Sequence, residues 1–289
     1  MTANLLDLEP LDATFGAIVK GVDLKALESQ TATAIRDAWI EYGLLVFPGQ
    51  FLSRSDQDAF ALLFGDLEFK AAPITNYDAA GKVYSEPTED LVKSLRGNEG
   101  WHHDSTYMPV QAKGAVFSAE VVPNEGAATG FADMRAAYEA LDDDNRRRVD
   151  GLCAYHSQVY SQGRVGLLPT QNAAGGYDHY GYHGLEPPLR PLVKLHPDTL
   201  RPNLLIGRHA YNIVGMDPAD SERLLDSLAD FACQAPRVHH HRWAVGDALL
   251  WDNRRLMHRA TPFDMTQKRR MWHTRIAGDP KSELALNHS

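Results

Sequence analysis

Short apolar runs, most of them closed by Gly, Pro, Asn or Asp, recur along this chain and limit the folds open to it. Phe15–Val22 shows β-branched alternation, Leu44–Phe47 is apolar throughout, and Ala115–Val122 alternates until Pro123 stops it. Leu192–Leu195, Leu204–Ile206, Val238–Trp243 and Ala248–Trp251 extend the series. Helical periodicity is found in Ala32–Tyr42, Ser55–Phe64, Met134–Leu141 and Ser221–Cys233, the first ending at Gly43, a usual C-terminal stop. Many short strands with a few helices that do not alternate regularly predict a mainly β (α+β) fold. The expected architecture is a β-sandwich or jelly roll with helices packed outside. The chain has 289 residues, 44% of them hydrophobic, enough for a full core. No internal repeat or low-complexity linker divides it, so one domain over residues 1–289 is the simplest organisation.

The formal net charge of -9 argues against a phosphate-binding footprint, and nucleic acid is excluded as a partner. Cys153 and Cys233 lie far apart and read as buried apolar filler, so no disulfide framework is expected. That usage suits a reducing cytosol. The N-terminal segment lacks the features of a signal peptide, and no apolar run approaches the ~20 residues that span a bilayer. The expectation is a soluble, cytoplasmic protein with no membrane partner. Residues 173–188, dense in Gly, Tyr, His and Pro and without sustained period, read as a lid or active-site loop.

The chemistry begins at Trp101-His102-His103-Asp104. In an extended segment residues i and i+2 share a face, so His102 and Asp104 can grip one ion while His103 points away. Two imidazoles and one carboxylate on one side of iron(II) leave three positions open, enough for a bidentate cosubstrate and dioxygen. A His-X-Asp triplet alone is weak among 13 histidines, and a third ligand must come from elsewhere. The run His239-His240-His241 looks metal-like but reads better as a solvated strand face beside Arg237 and Arg242. His258 has stronger context: the apolar run to Trp251 enters an Asp252-Asn253 turn that can aim a histidine back at the core.

With these residues in hand, the sequence resembles the family of taurine dioxygenase and 2,4-dichlorophenoxyacetate dioxygenase, with the phenoxyacetate branch looking closer. The matching stretches are Trp101 to Asp104, Val121-Val122-Pro123 with Thr129 to Tyr138, Trp251-Asp252-Asn253 with His258-Arg259-Ala260, and Arg269 to Gly278. Gly21 to Leu24 and Phe47 to Gln50 extend the likeness almost end to end. The resemblance implies a double-stranded β-helix (jelly roll) with Fe(II) held by His102, Asp104 and His258 at one mouth. It also implies 2-oxoglutarate as cosubstrate and O2 as oxidant.

The family's 2-oxoglutarate residues fall on Thr129, twenty-seven residues after His102, and Arg269, eleven after His258. An arginine fork suits a carboxylate because it can donate two parallel hydrogen bonds. Where the family carries a second arginine for the substrate's anionic head, this chain has His273. Arg275 would share a strand face with His273 and could take over that contact, or Lys70 could replace the charge. By family position Lys70, Asn98 and Tyr107 face the substrate. Tyr77, Tyr84 and Tyr107 near the predicted pocket suggest an aromatic compound.

The implied reaction couples oxidative decarboxylation of 2-oxoglutarate, with release of succinate and CO2, to hydroxylation of a small organic acid, phenoxyalkanoate-like or sulfonate-like. Hydroxylation beside an ether oxygen, sulfonate or amine leads on to cleavage. The carboxylate of Asp104 favours hydroxylation over halogenation, because related halogenases carry a small residue there. A homo-oligomer, dimer or tetramer, is the family habit. Two other classes compete: a metal-dependent hydrolase, since the same ligands can hold zinc, and a metal-binding jelly roll without catalysis. The first leaves Thr129 and Arg269 without a task, and the second leaves a full ligand set unexplained.

Overall fold

The computed structural model describes residues 5–168, 170 and 180–289. A seven-stranded sheet forms the spine, in the order β1 (Asp7–Pro10), β2 (Ala17–Lys20), β3 (Leu44–Phe47), β13 (Ala248–Asp252), β5 (Gly114–Val121), β15 (Arg270–Ile276) and β4 (Leu67–Thr75). Its pairings are antiparallel except β2 with β3. The opposing sheet has the order β12 (Val238–His241), β6 (Thr129–Asp133) and β14 (Leu256–Ala260). Two smaller sheets, β11 (Ala210–Ile213) with β7 (Cys153–His156) and β8 (Leu189–Pro191), and β10 (Pro202–Leu204) with β9 (Val193–Leu195), complete the jelly roll.

Side-chain alternation explains why the central strands read as continuous apolar runs. Leu44 and Val46 of β3 and Leu249 and Trp251 of β13 point between the two sheets, where they meet Phe117, Phe131, Leu256 and Met271. Their neighbours Leu45, Phe47, Ala248 and Leu250 point the other way, against Ile35 and Trp39 of α1 (Ser29–Tyr42) and Phe60 of α2 (Arg54–Leu62). Both faces of the large sheet are therefore buried. The second sheet is covered in turn by α4 (Met134–Ala140) and α7 (Pro218–Ala232), through Met134, Leu224, Leu225 and Leu228 against Ala132 and Met257. Shorter helices α3 (Asp90–Gly97), α5 (Asp143–Val149), α6 (Gln158–Gly163) and α8 (Pro280–Glu283) fill the connections.

The same period of two places the chemistry. On β14, Leu256 faces inward and Met257 outward, so His258 faces inward. On β15, Met271 faces inward and Thr274 bonds outward to Asp58 of α2, which sends His273 and Arg275 inward.

Several boundaries differ from the sequence pattern for identifiable reasons. Helix α7 starts three residues earlier than expected because Asp217 caps it, accepting from Ala219 N and Asp220 N ahead of Pro218 at the first turn. The fifth strand of the expected series is Pro202–Leu204 rather than Leu204–Ile206, since register with β9 ends at Leu204. His239–His241 form an edge strand of the smaller sheet, and only His240 is exposed, while His241 Nε2 meets Asp247 Oδ2 at 3.1 Å. Cys153 and Cys233 are free and half-buried rather than buried, and burial pushes the Cys233 thiol up to about 12.

His156 on β7 is buried, and neither ring nitrogen has a hydrogen-bond partner among the described residues. Burial holds it well below the ordinary 6.5. The unfolded chain therefore takes up a proton that the folded chain refuses, so stability falls as pH drops below 6.5, at about 1.4 kcal/mol per pH unit per proton. In metal-free protein the melting temperature should fall from pH 7 to pH 5, and His156→Phe should flatten that slope; an unaltered slope would remove His156 as a cause.

Candidate active site

His102 and His258 are joined by a two-hydrogen-bond bridge, His102 N to His258 O at 3.0 Å and His258 N to His102 O at 2.8 Å. This puts the imidazoles side by side, with ring centroids 4.2 Å apart. His102 Nδ1 lies 2.7 Å from Gly100 O, so with the proton there its Nε2 is free to ligate. His103 turns the opposite way, its Nδ1 against Asn253 O at 2.7 Å. Asp104 follows in a turn fixed by Ser105, whose φ is +55°.

The nitrogen and oxygen donors of His102, Asp104 and His258 all lie within 4.8 Å of one another, a grouping among the described residues that could hold a metal ion. Among the described residues Asp104 Oδ2 is buried without a hydrogen-bond partner, 3.7 Å from His258 Nε2. A buried carboxylate oxygen left bare beside two imidazoles fits a cation. The protonation states agree. Burial lowers His102 to about 4 and holds His258 well below the ordinary 6.5, so both rings are neutral at pH 7 with a lone pair to offer. Burial alone would raise the Asp104 carboxyl, but the Arg275 guanidinium beside it holds it well below the usual carboxylate range.

Asn253, in the turn between β13 and β14, ties the ligand segment to the sheet. Its Oδ1 accepts from Asp104 N at 2.7 Å, and its Nδ2 donates to Asp104 O and Ala112 O, both at 2.9 Å. Gly207 allows the neighbouring segment in equally close: a Cβ there would lie 2.8 Å from Trp101 O and 3.2 Å from His102 Cα. Asn253→Asp keeps the acceptor but loses both donors and faces two buried carbonyls with a charge. A loss of about 1–3 kcal/mol, together with weaker metal binding, is the expected result in thermal and metal titrations. Unchanged metal affinity in a destabilised variant would reduce Asn253 to a purely structural part.

Thr129 and Arg269 line the same cavity as His102, Asp104 and His258. Thr129 Oγ1 accepts from Trp243 Nε1 at 2.9 Å. Arg269 is buried, no carboxylate pairs with it among the described residues, and desolvation lowers it to about 10. A buried guanidinium without a counter-charge is costly unless an anion arrives. Asn98, Tyr107, His273 and Arg275 also line the cavity, whereas Lys70 is exposed and does not. The register explains Lys70: it is the exposed residue between half-buried Phe69 and Ala71 on the edge strand β4. Tyr77 and Tyr84 lie off the cavity, the first against Lys268 and Arg270 and the second bonded to Asp78. Arg275 already carries contacts: Nη2 reaches Asp104 Oδ1 at 2.8 Å and Nη1 reaches Ser105 Oγ at 2.9 Å. His273 stacks on Trp251, with planes 17° apart.

Gln158 and His209 were not singled out from sequence, yet both line the cavity. They come from α6 and from the segment before β11, which carry no motif; His209 is recognisable only by its rings, 4.8 Å from Tyr107 and 5.6 Å from His102. Of the expected loop 173–188, residues 173–179 lie outside the described residues. At its described end His183 Nε2 meets Tyr107 O at 2.7 Å.

A jelly roll that gathers two neutral imidazoles and a bare carboxylate oxygen at one mouth, with an unpaired arginine in the same cavity, has the donor set of the non-haem iron oxygenases. Relatives point the same way. The chain is 61% identical, over 98% of both chains, to (S)-phenoxypropionate/alpha-ketoglutarate-dioxygenase of Sphingobium herbicidovorans. It is 36% identical to alpha-ketoglutarate-dependent 2,4-dichlorophenoxyacetate dioxygenase of Cupriavidus pinatubonensis, over 91% of this chain and 94% of that one. The crystal structure of AAD-2 in complex with Mn(II) and N-oxalylglycine superimposes with a TM-score of 0.88 at 33% identity, covering 98% of this chain and 99% of the other. The model of the family "Taurine catabolism dioxygenase TauD, TfdA family" matches residues 7–275, and the chain belongs to that family. It is a 2-oxoglutarate-dependent dioxygenase that uses Fe(II), 2-oxoglutarate and O2. These relatives support the oxygenase and not the hydrolase or the non-catalytic binding protein.

Proposed function

We propose that this enzyme hydroxylates 2-aryloxypropionates, the S enantiomer by preference, at the carbon bearing the ether oxygen. The observation that carries the reading is the 61% identity across the whole length of an (S)-phenoxypropionate dioxygenase, joined by a second enzyme of that name from Delftia acidovorans at 52%. The cavity agrees: Ile74, Tyr107, Phe117 and Trp251 offer apolar walls for an aryl ring, and Asn98 and Gln158 offer polar groups.

In this reading His102, Asp104 and His258 hold the iron, and Thr129 and Arg269 hold the distal carboxylate of 2-oxoglutarate. Bound there, iron with 2-oxoglutarate and dioxygen supplies the oxidant: one oxygen atom converts 2-oxoglutarate to succinate and CO2, and the other enters a substrate C–H bond. The protein's part is position and dryness. The two histidines stay neutral because they are buried, Arg269 meets a carboxylate it would otherwise lack, and the aromatic walls keep water from the reacting carbon. The hydroxylated product is a hemiketal; its hydroxyl proton leaves, its bond to the aryl oxygen breaks, and a phenol and pyruvate result. Asn98, Tyr107, Gln158 and His209 contact the substrate.

Among the described residues no helix is long and apolar enough to cross a membrane. A cytoplasmic, homo-oligomeric enzyme with an active-site role for the loop 173–188 completes the reading, and light scattering of the purified protein tests the assembly. The activity test is succinate and phenol release with (S)- and (R)-2-phenoxypropionate, phenoxyacetate, an alkyl sulfate and taurine. The S enantiomer should turn over fastest. Turnover of the alkyl sulfate alone, with no phenol from any aryloxyalkanoate, would replace the substrate assignment.

A further inference from the structure

Arg275 lies on the inward face of β15 next to the metal-binding cluster, where a substrate anion could in principle reach it. Its surroundings give its charge a different use. Nη2 donates to Asp104 Oδ1 at 2.8 Å, and Nη1 donates to Ser105 Oγ at 2.9 Å. Ser105 Oγ in turn donates to Glu68 Oε2 at 2.8 Å, and Glu68 Oε2 stands 3.9 Å from Arg275 Nε. Tyr180 closes the set, its hydroxyl bonded to Glu68. The guanidinium carbon sits 4.7 Å from the centre of the Phe69 ring and 5.4 Å from that of Tyr180. Both terminal nitrogens of this arginine are therefore engaged and aromatic rings lie against the guanidinium, while Nε has no hydrogen-bond partner among the described residues, and Arg275 is buried. The two oxygens of Asp104 are left unequal: Oδ1 is taken by Arg275, and Oδ2, between His258 and His273, has no hydrogen-bond partner among the described residues.

We infer that Arg275, braced by Glu68 and Ser105, is a positioning residue that occupies Asp104 Oδ1 and so presents Oδ2 alone to the iron, rather than a receptor for the substrate's carboxylate. A carboxylate held by one oxygen takes one coordination position, which keeps the remaining open face for cosubstrate and dioxygen. The brace is also what the unusual turn at Ser105 accomplishes, since its positive φ brings Oγ between Arg275 and Glu68. The inference rests on the metal centre proposed above. Metal binding by the unaltered enzyme tests that centre separately.

The test uses anaerobic enzyme without any substrate: Fe(II) and Mn(II) affinities, then the visible charge-transfer band on adding 2-oxoglutarate to the Fe(II) form. Arg275→Met should weaken metal binding about 10- to 100-fold and displace the band, because the freed carboxylate can close on the metal with both oxygens. Arg275→Lys should recover part of the affinity, one ammonium reaching Oδ1 without the fork to Ser105. Glu68→Gln should shift the band in the same direction by less. Unchanged affinity and band in Arg275→Met, with a raised KM for the aryloxypropionate, would overturn the inference and make Arg275 the substrate's anion site. If Arg275→Met does not fold by circular dichroism, Glu68→Gln and Ser105→Ala decide, and metal affinity and band unchanged in both would overturn it equally. Failure of the unaltered enzyme to bind metal at all would remove the centre itself.

Discussion

Replacing His258 by alanine should abolish the visible absorption that Fe(II) and 2-oxoglutarate produce together in the anaerobic enzyme, and with it all succinate formation above background. The expectation follows from geometry. In the proposed centre His258 is the candidate ligand that the second sheet contributes among the described residues, its backbone is fixed to His102 by two hydrogen bonds, and its ring nitrogen faces Asp104 Oδ2 at 3.7 Å. Alanine keeps the β14 backbone and removes only the imidazole. The fold should survive, and the apo protein should not be less stable by more than the lost ring packing against Trp251, whose ring centre lies 4.9 Å away. Isothermal titration with Mn(II), alongside the optical measurement, separates loss of metal from loss of 2-oxoglutarate. A variant that keeps the band would take His258 out of the ligand set.

Arg269→Met should act on 2-oxoglutarate and leave the metal alone. The guanidinium is buried, has no carboxylate partner among the described residues, and shares its cavity with Thr129. Loss of a buried charge-assisted pair costs about 2–5 kcal/mol, which corresponds to a roughly thirty- to several-thousand-fold rise in the KM for 2-oxoglutarate. The stability effect has the opposite sign from the usual core substitution. Without cosubstrate the arginine is an uncompensated buried charge, so the methionine variant should melt no lower than the parent. The rise in melting temperature that 2-oxoglutarate gives the parent should vanish. A normal KM in the variant would move the cosubstrate's distal carboxylate elsewhere.

Much of this was readable from residues alone, where local physics and the final structure agree. Leu44–Phe47 is a strand to the residue because both of its faces are buried, so an unbroken apolar run has only one stable placement. Met134–Ala140 is helical where periodicity placed it, because Asp133 supplies a cap that is local in sequence. The strand β4 was illegible for the converse reason. It contains Lys70 and Pro73, an edge position tolerates both, and only pairing with β15 makes the segment a strand. Arg275 shows the same limit in the site. Spacing gives its strand face, but its partners Asp104 and Glu68 are far away in the chain, and nothing local announces them.

What the sequence by itself determined is the donor inventory: two histidines and an aspartate of the correct types, with Thr129 and Arg269 at the family's separations and strand periods that turn each side chain to one face. What only the tertiary structure decided is which of those groups are free. Ligand types and strand parity are local properties, set by side-chain chemistry and a two-residue repeat. Whether a charge is spent or available depends on what packs against it across the sandwich. By that measure Arg269 has no carboxylate partner among the described residues, Arg275 is committed to Asp104, and Lys70 looks out to solvent.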